Sequence, residues 1–110
     1  MSDVDVLERL ERVLQARVRE RPEGSYVVRL LAGGESALAA KLREEAEELI
    51  AAHAVRRETV HEAADLLFHM LVLLAARDVE LAAVCRELER RFGVGGLAEK
   101  AARGARSDGA

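Results

Sequence analysis

Five carboxylates in two clusters are the residues best placed to do chemistry: Glu44, Glu45 and Glu48 in REEAEEL, then Glu62 and Asp65 in HEAADLLFH. Both clusters lie in otherwise apolar sequence with helical periodicity. A carboxylate withdrawn from water either meets a cation or gives up its charge, because the desolvated anion is costly. Acids gathered on an inward face therefore predict a hard divalent cation with oxygen ligands, Mg2+ first among them. That ion in turn points toward phosphate chemistry.

The inward placement follows from helix geometry. With about 100° per residue and Leu38 set at 0°, Leu42, Glu45 and Leu49 fall at about 40°, 340° and 20°. Glu45 thus sits in the middle of an apolar stripe. Glu48 falls on the flank near Lys41, Glu44 one step further round, and Glu47 on the opposite, solvated side. The next helix repeats the pattern independently: Glu58, Glu62, Asp65 and His69 follow i, i+4, i+7, i+11 spacing, one face of a helix. Its other faces carry Val60, Ala63, Ala64, Leu66, Leu67, Met70, Leu71, Leu73 and Leu74, the pattern of a helix buried on most sides.

These clusters need helices to hold them. The first helix is expected from about Val4 to Arg19, with Val6, Leu7, Leu10, Val13, Leu14 and Val18 on one face. Arg21-Pro22-Glu23-Gly24-Ser25 breaks it, and Ser25 can cap a short helical turn over Tyr26 to Ala32. Gly33-Gly34 stops that turn. Ser36 is the expected N-cap of the second long helix, which runs to His53 or Ala54. The short link Val55-Arg56-Arg57 makes the second and third long helices an antiparallel hairpin, which brings the acid clusters together. The third ends near Arg77, with Asp78 opening a turn. A fourth amphipathic helix carries Leu81, Val84, Cys85 and Leu88 and ends at Phe92-Gly93. Residues 1–93 form the expected domain. Leu97 to Arg103 can extend a helix within a 94–110 tail expected to be partly disordered.

Bulk properties narrow the class. The 110 residues suffice for one domain with a modest core. Aromatics are only 3% and there is one proline, which with abundant Ala and Leu predicts an all-α fold. A net charge of −3 argues against nucleic-acid binding through a broad basic surface. The lone Cys85 excludes an internal disulfide and fits a reducing cytosol; its helical setting predicts a small, at least partly buried side chain. The acidic start (Asp3, Asp5) is unlike a signal peptide, and the longest apolar run, Met70 to Ala76, is shorter than the ~20 residues a bilayer needs. The expectation is a cytoplasmic protein with no membrane segment.

The run EExxE (Glu44 to Glu48) followed by ExxD (Glu62 to Asp65) resembles the MazG-like all-α nucleotide pyrophosphohydrolases. Ser25-Tyr26, Leu30-Leu31, the glycine turn, KLREEAEELIAA and EAADLLFHMLVLLAARDVEL look most like the phosphoribosyl-ATP pyrophosphatase family, over about Leu7 to Phe92. Arg43 stands where that family usually has a small residue. The resemblance implies Mg2+-dependent hydrolysis of phosphoribosyl-ATP to phosphoribosyl-AMP and pyrophosphate, the second step of histidine biosynthesis. Many members of that family are fused to the cyclohydrolase of the next step; 110 residues are too few for that, so a separate phosphoribosyl-AMP cyclohydrolase is expected. The implied metal ligands are Glu45, Glu48, Glu62 and Asp65, with Glu44 as an outer or second-metal group or as base for the water, so that Glu44, Glu45 and Glu48 form the catalytic set. Lys41, Tyr26, Arg29 and His69 are the candidate substrate contacts, with Arg17 and Arg21 as further cations. A four-helix MazG-like bundle completed by a homodimer, or a dimer of dimers, is expected both from the resemblance and from the greasy third long helix.

Each residue also has a plainer reading. EExxE in an Ala/Leu-rich helix is commonly solvated surface. Lys41 can neutralise Glu45 across i, i+4 instead of binding phosphate, and Tyr26 can fill the core. His61-Glu62-Ala63-Ala64-Asp65 lacks the second histidine of a zinc HExxH motif. Only Glu58 to His61 fits the Glu-x-x-His of a di-iron bundle, which needs two. His69, on the acid stripe, is expected to hydrogen-bond a ligand carboxylate or line the pocket. Two other functions remain open from the residues: a housecleaning nucleoside triphosphate pyrophosphohydrolase with the same metal site, and a non-catalytic helical interaction module whose acids are salt-bridged by arginines.

Overall fold

The computed structural model describes Asp3 and residues 5–92, and every regular element among them is helical. The helices are α1 (Asp5–Glu20), α2 (Tyr26–Ala32), α3 (Gly34–Ala51), α4 (Arg56–Ala76) and α5 (Leu81–Phe92). The tail after Phe92, with the expected helix over 97–103, lies outside the described residues. The chain divides after Val79 into two compact units, the first holding α1 to α4 and the second α5.

In the first unit α4 is the central element, packed along α3 and also against α1, while α2 bridges α1 and α3. The α3–α4 hairpin is antiparallel, as contacts at both ends demonstrate. At the turn, the Thr59 hydroxyl near the start of α4 reaches the carbonyls of Ala52 (2.8 Å) and Val55 (2.9 Å). At the open end, Arg77 just past α4 donates two hydrogen bonds to Glu35 in the first turn of α3, at 2.9 and 3.0 Å. The core consists of Leu14 from α1, Val27 from α2, Leu38 from α3 and Leu71 and Val72 from α4, closed by Ala52.

Local chemistry explains most boundaries. Ser25 caps α2, its Oγ accepting from the Val28 N–H at 3.5 Å. The Gly33-Gly34 pair lets α2 run almost directly into α3: Gly34 has φ +79°, and a Cβ on Gly33 would meet the Ala37 Cβ at 2.7 Å. That junction starts α3 at Gly34, so Ser36 lies within the first turn and is not its N-cap. At the hairpin, α3 ends at Ala51 and α4 begins at Arg56. The link is therefore 52–55 and not 55–57, because Thr59 ties the turn back to both of its carbonyls. Asp78 takes a left-handed φ of 58° where the chain leaves α4.

Three apolar expectations are corrected. On α1, Leu14 is buried and Leu7, Leu10 and Val18 are partly covered, but Val6 and Val13 are exposed. Both lie more than about 90° from the Leu7–Leu14–Val18 line on the helical wheel, so they flank the packed stripe. Cys85 is exposed, since α5 buries none of its residues. On α4, Val60 is 62% exposed, and Ala64, Leu67 and Met70 are also exposed, so part of this helix is left uncovered. By length and composition α4 is also apolar enough to cross a bilayer. Here it packs against α1 and α3 and carries Glu62 and Asp65 mid-helix.

Candidate active site and cation-binding cavity

Glu45 is the residue around which the site is built. It sits on the face of α3 that meets α4, and the fold buries it to 3% exposure. Its Oε1 lies 2.9 Å from Nδ1 of His69, which is itself 6% exposed on α4. Glu44 and Glu48, on either side of it along α3, remain exposed. The three carboxyl groups converge so that an oxygen from each lies within 4.8 Å of the others. Burial, a hydrogen bond with Glu48 and the nearby charge of Asp65 push the Glu45 carboxyl above the ordinary glutamate range, against the smaller pull of His69 and Lys41.

A cavity of about 450 Å3 opens over this group, lined by Tyr26, Lys41, Glu44, Glu45, Glu48, Asp65, Phe68 and His69. Four carboxylates face it against one ammonium. Lys41 makes its ion pair with Glu44 at 3.0 Å, not with Glu45, because the i, i+3 step brings the two exposed side chains together. That pairing raises the lysine above its ordinary range. Neither Arg77, paired with Glu35, nor Arg90 and Arg91, paired with Glu87, lines the cavity. The set of hard oxygen donors, one of them held buried and short of a compensating cation, fits a divalent cation of the Mg2+ kind.

The second acid cluster is placed differently. His61, Glu62 and Asp65 on α4 bring ligand atoms within 4.8 Å of one another, and Nε2 of His61 lies 3.4 Å from Asp65. Asp65 belongs to both groups, since it also lines the cavity. Glu62, a turn earlier and partly exposed, sits in the α4 cluster and is not among the cavity-lining residues.

Aromatic residues wall the other side. The Tyr26 hydroxyl lies 2.8 Å from Nε2 of His69, so both ring nitrogens of that histidine are engaged by protein. Tyr26 and Phe68 meet the His69 ring nearly edge-on, with centroids 5.8 and 5.2 Å away. Both also line an adjoining cavity of about 600 Å3, formed by α1, the α1–α2 loop and the start of α2, which Arg17 and Ser25 share. Arg29 lines neither cavity: it donates to the Gly24 carbonyl at 3.4 Å and lies 6.0 Å from the Tyr26 ring centre. Phe68 was not singled out from the sequence, although its i+3 spacing from Asp65 puts it beside the acid stripe.

An all-helical fold that turns acids from two antiparallel helices onto one cavity defines a class: all-α proteins with a carboxylate-lined site suited to cation and phosphate chemistry. Comparison with known proteins narrows that class. Residues 7–92 match the family described as phosphoribosyl-ATP pyrophosphohydrolase, and the chain belongs to this family. It is 50% identical over 107 residues to a phosphoribosyl-ATP pyrophosphatase of Rhodopirellula baltica, covering 93% of this chain and 89% of that one. It is 50% identical over 103 residues to the protein of the same name from Cereibacter sphaeroides strain ATCC 17025, covering 92% and 100%. With that of Dinoroseobacter shibae it shares 49% over 102 residues, covering 91% and 100%.

Proposed function

We propose that this chain is a hydrolase that cleaves phosphoribosyl-ATP to phosphoribosyl-AMP and pyrophosphate, the second step of histidine biosynthesis. The observation that carries the reading is the acid-lined cavity at the heart of the segment that matches the family. The non-catalytic module loses support, since Arg77 pairs with Glu35 and Arg90 and Arg91 with Glu87, away from the acids that line the cavity.

Glu45, Glu48 and Asp65, with Glu62 one turn before Asp65, are the residues that would hold Mg2+. When bound, the ion supplies charge neutralisation for the anhydride's phosphates and makes water more acidic. The chain's own groups do the rest. Lys41, held by Glu44, sets a positive charge at the cavity wall where a phosphate oxygen would approach. Glu44 is exposed to the cavity and keeps a carboxylate oxygen available to accept a proton from the attacking water. Tyr26 and Phe68 offer ring faces to the base or ribose, and Arg17 in the adjoining cavity faces the space a phosphoribosyl phosphate could occupy. Positioning of this kind is most of what phosphoanhydride cleavage asks of a protein.

The exposed apolar face of α4 supports a homodimer, or a dimer of dimers, in which a second copy covers Val60 and Leu67 and completes a four-helix bundle. We place the enzyme in the cytoplasm, with phosphoribosyl-AMP passed on to a cyclohydrolase. The test is pyrophosphate release from phosphoribosyl-ATP with Mg2+, beside ATP and dUTP, for wild type and Glu48→Gln. Release from phosphoribosyl-ATP alone, lost in the variant, is the expected result. Release mainly from ATP or dUTP would move the protein to the housecleaning enzymes, and no release by folded protein would overturn catalysis.

A further inference from the structure

We infer that Tyr26 and His69 are positioning residues that hold Glu45 in its cation-binding orientation, Tyr26 through its hydrogen bond to His69 and His69 through its close contact with the carboxylate; this rests on the reading of Glu45 as a metal ligand. Three helices contribute one member each: Tyr26 starts α2, His69 lies on α4 and Glu45 on α3. The hydroxyl–Nε2 distance is 2.8 Å and the Nδ1–carboxylate distance 2.9 Å.

The direction of the hydrogen bonds follows from what each atom is able to do. Nδ1 of His69 also lies 2.9 Å from the Asp65 backbone carbonyl, an oxygen that only accepts. Nδ1 therefore carries the hydrogen and donates it to that carbonyl, while standing 2.9 Å from the Glu45 oxygen. In the neutral ring Nε2 is then the acceptor, and the Tyr26 O–H donates to it. The hydroxyl thus selects the tautomer that keeps an N–H, and not a lone pair, on the nitrogen beside the Glu45 oxygen.

Tyr26 earns this assignment because its bulk does not explain it. The side chain is 42% exposed, so burial of its ring contributes little, while its hydroxyl points inward to a histidine that is almost wholly buried. The Tyr26 and Phe68 rings limit tilting of His69. A carboxylate ligand with one oxygen anchored loses less freedom on binding a cation. Supporting contacts to a ligand are typically worth about 10–100-fold in metal affinity.

The test is Mn2+ binding followed by the EPR signal of the free ion, with thermal melting of the metal-free proteins alongside. Wild type, Tyr26→Phe, His69→Leu, His69→Asn and the ligand control Glu48→Gln are compared. Tyr26→Phe is expected to weaken Mn2+ binding about 3–10-fold and His69→Leu at least about 10-fold. His69→Asn, whose amide keeps an N–H close to the Nδ1 position, should recover most of the His69→Leu loss, which a merely space-filling role would not produce. Wild-type affinity in both Tyr26→Phe and His69→Leu, with binding lost in Glu48→Gln, would overturn the positioning role while leaving the metal site standing. Absence of Mn2+ binding by wild type would overturn both.

Discussion

The two sides of α4 invert the usual order of a globular helix. Toward α3 it buries His69 and turns Asp65 to a cavity beside the buried Glu45, while on another face Val60, Ala64 and Leu67 stand in solvent at i, i+4, i+7 spacing. Each arrangement is unfavourable alone. A buried carboxyl loses hydration, and exposed leucine and valine leave apolar area in water. The inward cost has a proposed chemical return, a buried carboxyl available to a cation. The outward cost has a structural one, as apolar area is the surface a second copy can cover. The same helix thus sits between chemistry and assembly.

Disabling the inner side should give the largest effect. Asp65→Asn is expected to lower the rate of pyrophosphate release by at least about 100-fold, the scale of several kcal/mol of lost charge stabilisation. Its metal-free melting temperature should stay level or rise, because a like charge leaves the crowded cavity. A rate within threefold of wild type would remove Asp65 from the site. Next comes the packing that holds the two acid-bearing helices together. Leu38, 2% exposed on α3, should cost about 3 kcal/mol on truncation to alanine, read by urea unfolding.

The outer side is sharpened by Leu67→Glu. It should convert the proposed dimer to monomer in light scattering while leaving the helical circular dichroism intact. A wild-type monomer at micromolar concentration would dissolve the comparison.

The smallest effect separates acids by their surroundings. Glu45 is held above the ordinary range by burial, so its contribution to metal-free stability is present below pH about 4.5 and fades as pH rises through its folded value. Glu35 is held below that range by its hydrogen bonds to Arg77, so its contribution is present above about 4.5 and is lost on further acidification. Thermal melts from pH 3 to 8 should therefore show Glu45→Gln gaining on wild type toward neutral pH and Glu35→Gln losing slightly. The Glu35 difference should vanish in high salt, since both partners are exposed. Equal slopes for the two variants would contradict the contrast.

Much of this was legible in the chain. Periodicity carried the helices, because a residue's face is set by 100° steps whatever lies around it, and it placed Glu45 in the apolar stripe where it is buried. The Ser25 cap was equally local. What failed were boundaries and partners. Ser36 has the right chemistry for a cap, but the Gly33-Gly34 junction started α3 earlier. Lys41 was one turn from both Glu44 and Glu45, and only the side-chain packing chose Glu44. An apolar face on α4 could not announce whether its own chain or another would cover it.

The sequence by itself determined the helical class, the hairpin and the acids that share a face, since these depend on residue type and short-range spacing. Tertiary structure alone decided that Tyr26, 43 residues from His69, would reach its ring, that Phe68 would wall two cavities, and that Glu62 would fall outside the residues lining the acid cavity. Those outcomes depend on how three helices cross in space, and no periodicity within a single helix records a crossing.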